Sequence, residues 1–185
     1  MPSDARREHY FTAAIEILAE QGFRGLKMTT LHRRLGVTSG SFYHFFRSWP
    51  DFVAQFLAYW TEIYTDEAVA EALPVRDPLD RLAGMRARAR VVPHDAEAAI
   101  RTWSSVDSQV ERFQREVDRR RTELIRLAVV DATGREDDAD RLAALGLAMI
   151  VGLQQLTRPV DVDAIDWALA RFIDLVTGSG PADPA

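Results

Sequence analysis

The chain contains no cysteine. That excludes disulfides and thiolate-bound metals, and it fits a reducing compartment. It has no membrane-length apolar run: the longest uncharged stretch, Leu142 to Thr157, is sixteen residues with two Gln and two Gly. A membrane span needs about 20 predominantly apolar residues, so this stretch reads as a buried helix. The opening MPSDARREHYFTAA carries charges where an export signal needs an apolar core, so a cytoplasmic protein with no membrane partner is expected. His9, His32, His44 and His94 show no metal-ligand spacing. Ser/His/Asp constellations, phosphate-binding glycine loops and cleft-forming carboxylate pairs are likewise missing. No metal, cofactor or enzymatic activity is therefore expected. Lysine is nearly absent too, with one against twenty-two arginines, which speaks to codon usage rather than mechanism.

What remains suits a compact helical protein. The chain has 185 residues, 47% of them hydrophobic and 28% charged. Its net charge of −5 argues against a uniformly basic coat, but the charge is uneven. Residues 1–60 hold seven Lys/Arg against five Asp/Glu, and residues 61–185 hold sixteen against twenty-three. No acid lies between Glu20 and Asp51, a gap that contains Arg24, Lys27, Arg33, Arg34 and Arg47 with His32 and His44. A positive island on an acidic chain is a local electrostatic footprint.

Apolar residues recur at helical spacing and nowhere alternate as in a strand. Helices are expected over Asp4–Gln21, Thr29–Leu35, Thr38–Phe45, Pro50–Leu73, Asp77–Val92, His94–Val106, Asp107–Thr133, Glu136–Thr157 and Asp163–Thr177. Gly22, Gly36 and Gly134 stand where helices should stop. Thr38 is placed to cap, Pro50 suits a first turn, and Asp77 and Arg81 have i,i+4 spacing. The expected fold is all-α: an N-terminal three-helix helix-turn-helix domain over 1–49, a helical bundle over 50–178 and a frayed tail over 179–185.

The two short helices around Gly36 and Val37 have helix-turn-helix spacing. Leu31, Leu35, Phe42 and Phe45/Phe46 point inward in this scheme. Ser39, Gly40, Ser41, Tyr43 and His44 point out, where a second helix meets the major groove. Small hydroxyls suit phosphates and base edges, and the helix N-terminus adds donors. From the residues alone, the polar outer face of an ordinary helical hairpin remains the alternative.

Gly22-Phe23, then LHRRLGVTSGSFYHFF, then a long helix, resembles the N-terminal domain of TetR-type transcriptional regulators over residues 5–60 or so. The resemblance implies binding to double-stranded DNA. It puts Thr38, Ser39, Ser41, Tyr43 and His44 on the reading helix, with Thr29, Thr30 and Arg34 touching phosphates from the preceding one. Two positions depart from the pattern. Lys27 stands where relatives often have threonine, leaving Thr29 to cap. Trp49 replaces a lysine that holds a phosphate, a contact Arg47 can take over.

A module this small reads few bases, so a homodimer on a palindromic operator is expected. Leu142, Leu145, Met149, Leu153 and Leu156 form one apolar stripe; Ile165, Leu169, Phe172, Ile173 and Val176 form another. Ala143, Gly146 and Gly152 leave room for close helix approach. The resemblance implies the same helix pair as the dimer interface, against the alternative that both stripes face their own core. It also implies a small-molecule effector of unknown identity, for which Tyr64, Met85, Trp103 and Phe113 are candidate lining, with Asp107, Gln109 and Arg112 as polar anchors. The expected protein is a DNA-binding regulator, a repressor released by its effector. The alternative is a helical protein-interaction module with lost or weak DNA affinity.

Overall fold

The computed structural model describes residues 2–178, so the expected tail over 179–185 lies outside the described residues. Ten α-helices and no strand are found among them: α1 (Pro2–Gln21), α2 (Met28–Leu35), α3 (Ser39–Phe45), α4 (Trp49–Thr61), α5 (Glu67–Ala72), α6 (Pro78–Ala89), α7 (His94–Ser104), α8 (Ser108–Thr133), α9 (Glu136–Leu156) and α10 (Val162–Thr177). Two of the glycine stops adopt backbone that other residues resist. Gly36 ends α2 in the left-handed region, at φ 65 and ψ 29, and its N–H returns to the His32 carbonyl. Gly22, at φ 67 and ψ −178, sits in a region almost exclusive to glycine.

The chain packs as two compact units, one of residues up to Ile63 with Pro93–Arg115, the other of Tyr64–Val92 with the chain from Glu116 onward. In the first, α1 lies against α2 and α7. Its core joins Ala14, Ile17 and Leu18 of α1 to Leu31, Phe42, Phe46, Phe52 and Phe56, all buried. The rings interlock edge-on and tilted: Phe46 meets Tyr10 at 5.4 Å and 82°, and Phe52 at 5.0 Å and 81°. Such pairs add about 0.5–1.5 kcal/mol each beyond the area they bury. This aromatic block fixes α3 on α1.

In the second unit, α9 packs on α10 and α6 on both α5 and α10. Val129, Ala139, Phe172 and Val176 make one buried cluster, with Leu142 and Met149 leaning on it. Val160, Ile165 and Leu169 make another, covered by Ala89, Ile150 and Leu153. Gly146 lets α9 approach α10 closely, because a Cβ there would lie 3.0 Å from the Phe172 ring. Gly152 faces open space.

Two expectations change. The helix foreseen over Pro50–Leu73 contains a π-helical segment, Glu62–Asp66, between α4 and α5. Arg121 braces this wide turn, donating to the Tyr64 carbonyl at 3.2 Å and to Thr65 Oγ1 at 3.3 Å, while Arg120 pairs with Asp66 at 2.5 Å. Asp77 and Arg81 do not pair. Asp77 instead caps α6, accepting from Leu79 and Asp80 N–H at 2.9 and 3.0 Å, and Arg81 bonds Asp131 and the Val75 carbonyl. Local capping wins because two backbone donors sit in reach of one carboxylate. The basic run Arg86, Arg88, Arg90 is engaged within its own unit: Arg86 and Arg90 hold Asp166 at 2.6 and 3.0 Å, and Arg88 holds Glu67 at 3.0 Å.

Candidate nucleic-acid interface

The recognition-type helix α3 is built on two anchors. Phe42 and Phe46, four apart, are both buried beneath it. The residues between and before them look outward: Thr38, Ser39, Gly40, Tyr43 and His44 are exposed and Ser41 is half-buried. Tyr43 is 56% exposed, its ring edge-on to Phe42 at 5.4 Å. Thr38 occupies the cap position in extended backbone without a side-chain capping bond, which leaves its hydroxyl available. Ser41 does not stand alone: its Oγ accepts a 3.1 Å hydrogen bond from the Tyr10 phenol of α1.

On α2, Thr29 is exposed and Thr30 half-buried. Thr29 does not cap: the helix starts one residue earlier, and Lys27 occupies the cap position without a side-chain bond. Arg34 is not a free cation. It reaches back to α1, where Glu16 lies 3.0 Å away and Glu20 takes a bidentate pair. The hydrogen bond from Arg34 holds the Glu20 carboxyl below its ordinary range, and Glu20 and Glu16 raise the guanidinium. The pattern had put this arginine on phosphate. Its two acidic partners, fourteen and eighteen residues earlier in the chain, lie outside any helical spacing that a sequence displays. Arg24, Lys27, Arg33 and Arg47 are exposed, and none of these four is in an ion pair among the described residues. The positive island therefore survives, less one charge.

The junction after α3 is tied by two hydrogen bonds. Ser48 caps α4, accepting from the Asp51 N–H at 3.2 Å, while Asp51 accepts from the Arg47 N–H at 2.8 Å. That backbone bond lowers the Asp51 pKa. Trp49, half-buried, stacks on Phe42 at 6.2 Å and 23° and tilts onto Phe52 at 5.0 Å. The residue that replaces a cation is thus a packing group.

The remaining candidate residues are scattered. Tyr64 and Met85 belong to the second unit, Trp103, Asp107 and Phe113 to the first. All five are half-buried. Asp107 is occupied as the cap of α8, accepting from Gln109 and Val110 N–H at 2.9 and 3.2 Å, and Arg112 is exposed. An open cleft on the first unit, lined by Arg7, Phe11, Gln55, Tyr59 and Glu62 among others, contains none of them. Sequence reasoning missed the buried polar side chains of α7 and α8: His94, Glu97 and Gln114, of which Glu97 is 1% exposed. Nothing in their spacing singles them out. Among the described residues no helix is long and apolar enough to cross a membrane, and no cluster of side chains suits a metal.

Of the ten residues expected at a dimer interface, Ile165, Leu169, Phe172 and Val176 are buried inside their own unit. Leu142, Met149, Leu153 and Ile173 are half-buried, and Leu145 and Leu156 are exposed. The exposed faces also carry Trp167, 67% exposed, and Leu175, which the sequence reading did not single out. The apolar arc of a bundle helix is wide enough to serve a core and a partner at once. Periodicity does not divide that arc.

Comparison with known proteins follows the same division. Residues 11–54 match the family model for bacterial regulatory proteins of the tetR family. A search of curated proteins finds no significant match. Among solved structures, a putative TetR-family transcriptional regulator from Rhodococcus sp. superposes with a TM-score of 0.78 at 20% identity, covering 94% of this chain and 99% of that one. A putative transcriptional regulator from Saccharomonospora viridis, solved in complex with choline, gives 0.77 at 20% identity over 92% and 96%. A TetR transcription regulator from Haloarcula marismortui gives 0.75 at 18% over 93% and 98%. At these identities the likeness establishes the fold, and the match over 11–54 establishes the head. The head thus matches the tetR family of bacterial regulatory proteins over residues 11–54, on a chain whose fold is shared with solved TetR-type regulators.

Proposed function

We propose that the protein is a homodimeric repressor released from a palindromic operator by a small-molecule effector. Residues 1–49 form the reading head, and residues 50–178 carry pairing and effector binding. The observation that carries this reading is the division of α3: Phe42 and Phe46 buried, Ser39, Gly40, Tyr43 and His44 exposed, with unpaired cations on the neighbouring segments. In the groove, Thr38, Ser39, Ser41, Tyr43 and His44 meet bases and their flanking phosphates. Thr29, Thr30 and Arg47 hold the backbone, and Arg34 joins them when Glu16 and Glu20 release it. Repression, rather than activation, follows the commoner habit of such regulators.

Pairing uses the outer faces of α9 and α10, where Leu145, Gly152 and Leu156 lie along one helix and Trp167 and Leu175 along the other, backed by half-buried Leu142, Met149, Leu153 and Ile173. Two heads held this way select half-sites with centres about 34–36 Å apart or a multiple of that. The effector acts by preferring a body conformation whose heads no longer fit the operator, and its leverage equals its differential affinity for the two conformations. Within the first unit, Trp103 and Phe113 supply apolar contacts. Buried His94, Glu97 and Gln114 lie in the same unit and add polar side chains from α7 and α8.

A gel shift on the DNA upstream of the protein's own gene tests the reading. A specific shift at about 50–100 mM salt that weakens steeply as salt rises supports it. A second reading, a protein-interaction module with little DNA affinity, draws on Trp49 and Arg34, two positions where a phosphate-holding cation is absent or already engaged. Absence of any specific shift at low salt favours that reading.

A further inference from the structure

The hydrogen bond between Tyr10 and Ser41 joins a helix outside the reading surface to a side chain on it. Tyr10 is 3% exposed, and its ring is enclosed by Phe42 at 6.0 Å, Phe45 at 5.8 Å and Phe46 at 5.4 Å. Its phenol ends against Ser41 Oγ at 3.1 Å. The direction of that bond is settled by burial. No other acceptor for the phenolic proton is found among the described residues. Were Ser41 the donor, that proton would be stranded among aromatic rings, a penalty the observed pair avoids. Tyr10 therefore donates and Ser41 accepts.

A serine hydroxyl has one proton and two lone pairs. With one lone pair engaged by Tyr10, the Oγ is held in a single orientation, and its own O–H is polarised into a better donor. Among the described residues no group accepts that proton. Ser41 is half-buried, on a helix whose neighbouring residues Ser39, Gly40 and Tyr43 are exposed.

We propose that Tyr10 is a specificity-determining positioning residue: by donating to Ser41 it fixes that hydroxyl as an outward donor, so that the reading helix favours an acceptor edge at one base of each half-site. This rests on the DNA-reading role of α3 proposed above. In the major groove, guanine O6 and N7, thymine O4 and adenine N7 accept, whereas cytosine offers only its N4 donor. A hydroxyl pinned as a donor prefers the former. A hydroxyl freed to rotate serves either. Tyr10 never touches DNA in this arrangement; it acts through Ser41.

The test is selection of bound duplexes from a randomised DNA pool, with the wild-type protein, Tyr10→Phe and Ser41→Ala. Phenylalanine keeps the ring contacts with Phe42, Phe45 and Phe46, so the thermal midpoint of Tyr10→Phe stays near that of the wild type. The wild type is expected to show one position per half-site at which cytosine is disfavoured against the bases with acceptor edges, on the order of three- to tenfold, the range of one neutral hydrogen bond. Tyr10→Phe and Ser41→Ala both flatten the preference at that position and leave the others, and the salt slope, unchanged. Identical base preferences in wild type and Tyr10→Phe overturn the proposal. So does a loss spread evenly over all sequences, which marks a phosphate contact or a loosened head. If the wild type itself selects no motif, the DNA-reading role fails first, and Tyr10 with it.

Discussion

Arg34 Nη1 on α2 lies 3.0 Å from Glu20 Oε1 on α1, and Nη2 completes a bidentate pair with the same carboxylate. A cation in the middle of an acid-free segment is thus claimed by acids from before that segment. On the reading proposed above, DNA phosphate and Glu20 compete for one guanidinium, and whichever gains it, the other must release it.

Replacing both acids, Glu16→Gln with Glu20→Gln, removes that competition. The expected result is several-fold tighter binding to DNA of any sequence and a salt dependence steeper by about one phosphate contact. Titration of a random-sequence duplex across a salt series measures both. An unchanged slope would show that Arg34 serves only to clamp α1 to α2.

Tyr43→Ala should abolish sequence-specific binding and leave the state of assembly unchanged. The ring is mostly in solvent and touches the core only through its edge on Phe42, so its removal opens no cavity. Competition between operator and random duplex, read beside a sedimentation profile, separates loss of reading from loss of assembly. Retained discrimination would move the reading surface elsewhere.

Trp167→Glu places a charge on the exposed face of α10 without entering the clusters around Phe172 or Ile165. If that face pairs with its copy, the variant is monomeric at micromolar concentration and keeps its helical circular dichroism. A dimer that persists assigns pairing to another surface.

Glu116 supplies a pH test. Hydrogen bonds from Arg119 and Arg120 hold its pKa down at about 2, from an ordinary 4.5. A depressed carboxylate contributes stability that is complete above the ordinary value and is lost as pH falls toward the lowered one. Between pH 4.5 and about 2, the wild-type thermal midpoint should therefore fall faster than that of Glu116→Gln. Parallel curves would mean that the exposed triad contributes nothing measurable, as exposed ion pairs often do.

The head was legible because its constraints are local. Leu31, Gly36, Phe42 and Phe46 lie within sixteen residues, and their spacing alone sets two short helices at a turn with one greasy side. What escaped was whatever depends on residues far apart. Arg34 and its acids are fourteen and eighteen residues apart, and Tyr10 and Ser41 thirty-one. The face of α10 hid a different ambiguity. Ile165 and Trp167 are both apolar and two residues apart, but one is fully buried and the other open to solvent. Only the position of neighbouring helices separates a core side chain from a surface one on so wide an arc. The wide turn at Glu62–Asp66 left no trace either, since the stripe from Phe52 to Tyr64 reads alike with or without it.

That wide turn has an evolutionary consequence. Elsewhere in α4, losing one amino acid would rotate everything downstream by about 100° about the helix axis and scramble which side chains meet the interior. Within Glu62–Asp66 the same deletion tightens a slack winding into an ordinary one, with the surplus unit absorbed on the spot. Lineages of this protein can therefore shed a codon there, while the lengths of α4 and α5 on either side stay fixed.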